Sequence, residues 1–386
     1  MDPRRSAVEC LVRFERQRGS VSALPEGPRP AAETALVLGT LRRRGTLDAI
    51  LSTYSSRKLP LLRPETVAAL RVGLFELIFM DDAPTHAVVN AAVDAARKLG
   101  RFKDLGFVNA VLRQIVRSSK RVAPEEATDP RRSLPRGEFS ILFLRSVFPD
   151  RNHDAAGFLA ARGSTAPWIA GRRLGELGLE RALACLDLQA STPQTFLRPA
   201  PGELESVRAA LAAAGIEARD GPHEALLALD PAVRASDVFD CCGDRLVVQD
   251  AVASRVAPFC RVEPGWSVLD YCAAPGGKAT HLAQLVGPEG RVRAWDSSET
   301  RLALVAENAA RLGLGNLVCG PAEGEYDAVL VDGPCSNTGV LARRPEARWR
   351  VKERHLAGMA QRQLKILKDA SAHVSPGGTL VYSTCS

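Results

Sequence analysis

The stretch Val268-Leu-Asp-Tyr-Cys-Ala-Ala-Pro-Gly-Gly-Lys278 decides the fold of the last third of the chain. A β-prone apolar run at 267–271 stops at a Pro-Gly-Gly turn, and a helix-like run at 279–286 follows. Two later segments also follow apolar runs: 328–331 ends in Asp332-Gly-Pro-Cys-Ser336, and 379–382 ends in Tyr382-Ser-Thr-Cys-Ser386. Between them lie strand-like runs at 291–295 and 316–319 and helix-like runs at 299–312 and 353–374. Strands alternating with helices of this length predict a doubly wound, Rossmann-like parallel sheet. Right-handed crossovers place the motif loops on one edge, where the carboxyl ends of the strands open onto a crevice that binds ligands. Three motifs far apart in sequence therefore meet at one rim, and two of them bring a cysteine there, Cys335 and Cys385.

The Gly276-Gly277-Lys278 turn fails the spacing of a triphosphate loop, because Cys272 stands where the first glycine belongs and Ala279 follows the lysine. No Gly-x-Gly-x-x-Gly is present in its place. What remains is a sharp turn over Cys272, Ala273, Ala274, Pro275, Gly276, Gly277 and Lys278, where backbone can approach a ligand and helix N–H groups can face a carboxylate. Asp296 closes the next strand, about twenty residues on, where an acidic side chain takes ribose hydroxyls. A turn, a helix start and a ribose carboxylate without a pyrophosphate loop suit an adenosine cofactor bearing a small acid, such as S-adenosylmethionine.

A chain of 386 residues exceeds one ordinary core, so two or three domains are expected. Hydrophobic content of 46% and charged content of 25% are those of a soluble globular protein. No apolar run reaches the length of a membrane span and the amino-terminal end lacks a signal-peptide core, so the expectation is a cytoplasmic protein with no membrane partner. The 51 Lys and Arg against 44 Asp and Glu give a charge of +7. That excess, mostly arginine, fits either a polyanion partner or a merely solvated surface. The nine cysteines include no Cys-x-x-Cys pair, which argues against structural zinc, and an odd count without a signal peptide argues against a disulfide framework. Cys10, Cys185, Cys260 and Cys319 sit in apolar contexts and read as small core residues, and Cys272 reads as packing with its backbone near the cofactor. Nothing points to an obligate oligomer, and a monomer is expected.

Residues 6–119 read as helices: Val67, Leu70, Leu74 and Ile78 share one face, as do Val88, Ala92, Val93 and Ala96, with Pro60, Pro64 and Pro84 between the runs. The segments Leu70-Arg-Val-Gly-Leu-Phe-Glu-Leu77, Ala83-Pro-Thr-His-Ala-Val-Val-Asn90 and Gly106-Phe-Val-Asn-Ala-Val-Leu-Arg113 resemble, in that order, the NusB-type RNA-binding helical domain. The resemblance implies RNA binding and makes Arg42, Arg43, Arg44 and Arg71 candidate phosphate contacts. Composition at 120–135 reads as a linker, and 136–240 as a small α/β connector with a helix at 204–214 ended by Gly215 and a strand at 225–229. The expected domains are a NusB-like bundle over 1–125, linker and connector over 126–240, and an α/β Rossmann-like domain over 241–386.

Gln249-Asp250, the first motif through His281, Asp332–Ser336 with Asn337-Thr-Gly-Val-Leu-Ala-Arg-Arg-Pro-Glu346, Trp349-Arg350, residues 361–364, Pro376-Gly-Gly378 and the last motif closely resemble the RsmB/Nop/Sun family of RNA cytosine-5 methyltransferases. The NusB-like front end is similar to that of the bacterial RsmB subgroup, which modifies small-subunit ribosomal RNA. The resemblance implies an S-adenosylmethionine-dependent enzyme in which Cys385 attacks the base and Cys335 assists its release. It implies that Asp332 holds the base edge beside the cofactor and that Lys278 lies near the reacting centre. An unperturbed thiol has a pKa of about 8.5, so a cation or helix N-terminus is expected to lower that of Cys385. Arg343, Arg344 and Arg348 are expected to contact RNA phosphates. The chain departs from the family in three places. An acidic residue expected near the adenine is replaced by a short stretch containing Glu323, and Arg198-Pro-Ala stands where Arg-x-Asn is usual. The sequence also ends one residue past Cys385, where the family adds a helix and two strands, which implies an open fifth strand. A catalytically impaired RNA-binding or ribosome-assembly factor on the same fold is the alternative reading.

Overall fold

Apolar residues at three- and four-residue spacing wind the first part of the chain into helices. The computed structural model describes residues 2–16, 30–80, 83–223 and 226–385; Ser386 of the last motif and Ala225 of the expected strand lie outside them. The chain divides into two units, the first comprising Met1–Thr192 and Thr338–Glu353. Its helices are α1 (Pro3–Arg16), α2 (Ala31–Tyr54), α3 (Pro64–Phe79), α4 (Thr85–Lys98) and α5 (Leu105–Arg117). Pro64 occupies the first turn of α3 and Pro84 caps α4, positions that need no helical N–H. Val67, Leu70, Leu74 and Ile78 are buried, as are Val88, Ala92 and Ala96, so the expected faces are the core faces.

The linker reading of 120–135 is corrected. Strands β1 (Ser119–Val122), β2 (Ser133–Arg136) and β3 (Phe139–Phe143) form an antiparallel sheet in the order β1-β3-β2. Leu134, Ile141 and Phe143 are buried in the same core as the helices. Pro135 obscured the hairpin in the sequence, but β2 is an edge strand, where a missing N–H is tolerated. Helices α6 (Ala155–Arg162), α7 (Pro167–Leu177) and α8 (Leu179–Ala190) follow.

Residues 338–353, which follow the Asp332 motif, are built into this first unit. Trp349 Nε1 donates to Leu41 O at 2.9 Å, Trp168 Nε1 donates to Val351 O at 3.0 Å, and the Arg350 guanidinium lies 4.2 Å from the Phe14 ring centroid. Arg348, on the helical turn α14 (Ala347–Arg350), is 0% exposed and donates to Gly163 O at 3.2 Å and Ser164 O at 2.7 Å. Its expected contact with RNA phosphate is therefore withdrawn. The four arginines singled out earlier are likewise engaged within the unit. Arg42 Nε donates to Ala342 O at 2.9 Å, Arg43 lies over Phe79, Arg44 pairs with Glu15 at 2.9 Å, and Arg71 pairs with Asp48 at 2.7 Å and Glu15 at 2.9 Å. Arg43, Arg44 and Arg71 fasten helices to one another, and Arg42 fastens α2 to the 338–353 segment.

The second unit comprises Pro193–Asn337 and Arg354–Ser386. Its first part is an antiparallel sheet of β4 (Thr195–Pro199), β5 (Ala218–Asp220), β6 (Leu227–Leu229) and β7 (Leu246–Val248), in the order β5-β6-β4-β7. Helices α9 (Leu204–Ala213) and α10 (Ala235–Cys242) pack on it through Val207, Leu211 and Val238. After the short α11 (Val256–Phe259) come β8 (Ser267–Asp270), α12 (Gly277–Val286), β9 (Arg291–Ala294), α13 (Glu299–Arg311), β10 (Leu317–Cys319), β11 (Tyr326–Asp332), α15 (Leu356–Ser371) and β12 (Val374–Ser383). The five strands pair in parallel in the order β10-β9-β8-β11-β12, the doubly wound sheet expected from the sequence. Strand order reverses beside β8, which makes its carboxyl end the switch point where such sheets bind ligands. The register sets Asp332 level with Ser383 and Leu330 level with Asp270, so the ends of the three motif strands lie along one rim. β12 is an edge strand, with Leu380 and Tyr382 exposed. None of the described helices is long and apolar enough to cross a membrane.

Candidate functional site

The turn after β8 needs a glycine at its corner. Gly276 has φ +108°, and a Cβ there would come within 3.2 Å of the Val305 backbone. Side chains from α13 hold the turn from outside: Arg301 Nη2 donates to Ala274 O at 2.7 Å and Asn308 Nδ2 donates to Pro275 O at 3.0 Å. Asp296, just past β9, accepts from the backbone N–H of Ala274 at 3.3 Å and of Ser298 at 3.0 Å. On the inner side stands Arg198 of β4, 2% exposed. It donates to Gln249 Oε1 at 2.8 Å, to Gln284, and to Thr280 Oγ1 at 3.2 Å on the first turns of α12. The arginine of the altered Arg198-Pro-Ala segment thus ties the connector sheet to Gln249 and to the start of α12.

The sequence reading passed over Asp270. It closes β8 at 1% exposure, and neither carboxylate oxygen has a side-chain partner; the Cys272 N–H approaches it without well-formed hydrogen-bond geometry. Burial, aided by the nearby Asp332, pushes its pKa up to about 7. The signal that could have found it is an acidic residue ending an otherwise apolar run. Burial and the neighbouring Asp270, Asp296 and Asp332 push the Cys272 thiol up to about 12, so it stays protonated and serves as packing. Three carboxylates, Asp270, Asp296 and Asp332, face two cations, Lys278 and Arg301, and the innermost carboxylate is orphaned. That donor set fits a ligand carrying positive charge and hydroxyl groups, as S-adenosylmethionine does.

The other half of the site lies across the switch point. Asp332 ends β11 and receives two hydrogen bonds, from Lys278 Nζ to Oδ2 at 2.6 Å and from Ser383 Oγ to Oδ1 at 2.6 Å. Gly333 N–H donates to Ser383 O at 3.1 Å, and Gln363 Nε2 of α15 donates to Pro334 O at 2.8 Å, which fixes the loop carrying Cys335. Cys335 and Cys385, fifty residues apart in sequence, have Cα atoms 6.5 Å apart, and their sulfurs are joined as a disulfide. A disulfide here departs from the expectation, drawn from the odd cysteine count, that the chain carries no disulfide framework. Its physical cause is the register of β11 and β12, which delivers both side chains to one point of the rim. Asn337, also passed over, reaches both sulfurs: its Oδ1 lies 3.2 Å from Cys385 Sγ. Lys278, Asp332, Cys335 and Cys385 are thus brought together, with the 272–277 turn and Asp296 on the other side of β8.

Comparison with known proteins agrees with this geometry. The family model described as 16S rRNA methyltransferase RsmB/F matches residues 260–386, and that of the NusB family matches residues 1–117. The probable ribosomal RNA small subunit methyltransferase B of Bacillus subtilis (strain 168) is 28% identical over 405 residues, covering 98% of this chain and 84% of its own length. The ribosomal RNA small subunit methyltransferase B of Salmonella heidelberg (strain SL476) is 31% identical over 368 residues, covering 91% of this chain and 77% of its own. Among solved structures, that of PH0851 superposes with a TM-score of 0.71 at 21% identity over all of this chain and 86% of its own, a likeness of fold. Between the paired motif cysteines, the NusB-type helices and these relatives, the chain belongs to the RsmB/F family of RNA methyltransferases.

Proposed function

We propose that this protein transfers a methyl group from S-adenosylmethionine to carbon 5 of a cytosine in small-subunit ribosomal RNA, through a covalent adduct with Cys385. The observation that carries the reading is the meeting of the Cys335 and Cys385 sulfurs on one rim, with the Lys278–Asp332 pair on the neighbouring strand end. For the cofactor, Asp270 would face its cationic groups and Asp296 its ribose hydroxyls. The N–H groups at the start of α12 would face its carboxylate, with the 272–278 turn and Asp332 lining the seat.

Carbon 5 of cytosine is a poor nucleophile while the ring is aromatic. Reduced and ionised, Cys385 adds to carbon 6, forming an S–C bond and moving the ring electrons toward carbon 5. Asp332, oriented by Lys278 and Ser383, holds the base edge and hydrogen-bonds or protonates its ring nitrogen. Carbon 5 would then take the methyl group of bound S-adenosylmethionine, its sulfur–methyl bond breaking as a carbon–carbon bond forms and S-adenosylhomocysteine leaves. A base then takes the carbon-5 proton, the S–C6 bond breaks, the ring double bond returns, and Cys335 assists the departure of the Cys385 sulfur. A target inside a helix would have to be flipped out of its stack, so a loop is the cheaper substrate.

The test is incubation with labelled S-adenosylmethionine, small-subunit RNA and a reductant that opens the disulfide, followed by digestion to nucleosides. Labelled 5-methylcytidine is the expected product; RNA binding without label would favour the assembly-factor reading. Cys335→Ala should accumulate a denaturant-stable protein–RNA adduct and Cys385→Ala none. Adduct in Cys385→Ala and none in Cys335→Ala would reverse the two roles, and equal adduct in both would overturn the assignment of either.

A further inference from the structure

Asn337 is one of three non-glycine residues with positive φ among those described, at φ +58°. Asparagine is among the few L-residues that enter this region readily. In this conformation its backbone serves one sulfur and its side chain reaches both, the Cys385 sulfur more closely. The backbone N–H donates to Cys335 Sγ at 3.5 Å, while the side-chain Oδ1 lies 3.2 Å from Cys385 Sγ and 4.0 Å from Cys335 Sγ. A half-turn about χ2 exchanges Oδ1 for Nδ2 in the same space, so the amide can accept from a thiol or donate to a thiolate. Lys278, the cation expected near the reacting centre, is bonded to Asp332 at 2.6 Å.

We propose that Asn337 is a further residue of the reaction: its side-chain amide donates to the Cys385 thiolate, stabilises it and holds its sulfur for attack. The proposal rests on Cys385 as the attacking thiol, yet its test does not require methyl transfer. A hydrogen bond to the charged form lowers the pKa of the group that receives it. Because Cys335 keeps the backbone N–H and lies farther from the side-chain amide, 4.0 Å against 3.2 Å, a substitution at 337 should act on Cys385 more strongly than on Cys335.

The experiment measures iodoacetamide labelling of the fully reduced protein across pH, with the Cys335 and Cys385 peptides quantified separately by mass spectrometry. Asn337→Gly keeps the backbone conformation and the N–H but loses the amide; Asn337→Asp keeps the shape and sets a carboxylate against the sulfur. The Cys385 labelling midpoint should rise by about one pH unit in Asn337→Gly and about two in Asn337→Asp. The Cys335 midpoint in Asn337→Gly should move much less than that of Cys385, and S-adenosylhomocysteine binding in both variants should match wild type. Equal Cys385 midpoints in wild type and Asn337→Gly overturn the proposal, as does a Cys335 midpoint that moves as far as that of Cys385. Midpoints that move as stated in a protein that makes no 5-methylcytidine would leave this role standing and remove the proposed reaction.

Discussion

Arg348 in the first unit and Asp270 in the second are both withdrawn from water, at 0% and 1% exposure, and both keep polar atoms without partners. Their neighbours make them opposites. Arg348 donates to two backbone carbonyls, and burial lowers its pKa only to about 9, so it stays a cation at neutral pH. It is a fastening that holds the 338–353 segment against the turn at Gly163–Ser164. No side chain pairs with either oxygen of Asp270, which lies beside two other carboxylates and titrates near 7. It stands at the switch point of the sheet, where a cationic ligand would complete it. A buried charge that still reaches backbone partners holds the fold together; one without a side-chain partner at a strand end is a candidate seat for a ligand.

Asp270→Asn should break the second half of that contrast with the largest effect. Loss of a charge-assisted contact of about 2 kcal/mol would weaken S-adenosylhomocysteine binding at pH 8 about thirtyfold by calorimetry. The same variant should be more stable than wild type at pH 8. The folded pKa of Asp270 is raised above its unfolded value, so its stabilising contribution exists at low pH and is lost as pH rises through about 7. A gain in Tm at pH 8 that shrinks toward pH 5 is the expected pattern. Undiminished affinity would mean that this carboxylate is not the seat of the cation.

Between pH 8 and pH 6 the wild-type affinity for S-adenosylhomocysteine should fall about tenfold, because the ionised fraction of a group titrating near 7 falls by that factor. The amino group of this ligand stays protonated over the range, so the slope reports the protein. Asp270→Asn should flatten it. A slope that survives the substitution would assign the titration to another group.

The doubly wound sheet and the meeting of the three motifs were legible because strand–helix alternation fixes topology, and topology fixes which loops share a rim. The core faces of α3 and α4 were legible for the same kind of reason: three-to-four spacing is a backbone property. What stayed hidden depends on tertiary neighbours. Arg42, Arg71 and Arg348 carry the composition of a phosphate-binding surface, yet Ala342 O, Asp48 and Gly163 O take their hydrogen bonds, and no periodicity announces that. Pro135 masked β2 because the sequence does not say which strand lies at an edge. Asp270 looked like the polar end of a strand, and Asn337 like a loop residue, until their surroundings placed one among carboxylates and the other against two sulfurs.

Arg348→Met probes the fastening, and its expected effect is the smallest. The variant loses hydrogen bonds to two carbonyls but no longer buries two nitrogens without partners, Nε and Nη2. These opposing terms leave a destabilisation of about 1 kcal/mol, read as an earlier midpoint in urea. S-adenosylhomocysteine affinity should not move. RNA binding gives the sharper contrast, because each phosphate contact adds about one unit to the slope of log K against log salt. A guanidinium that is 0% exposed and donates to Gly163 and Ser164 meets no phosphate, so the slope of the variant should equal that of wild type. A slope shallower by one unit would return Arg348 to the RNA and erase the distinction between the two buried charges.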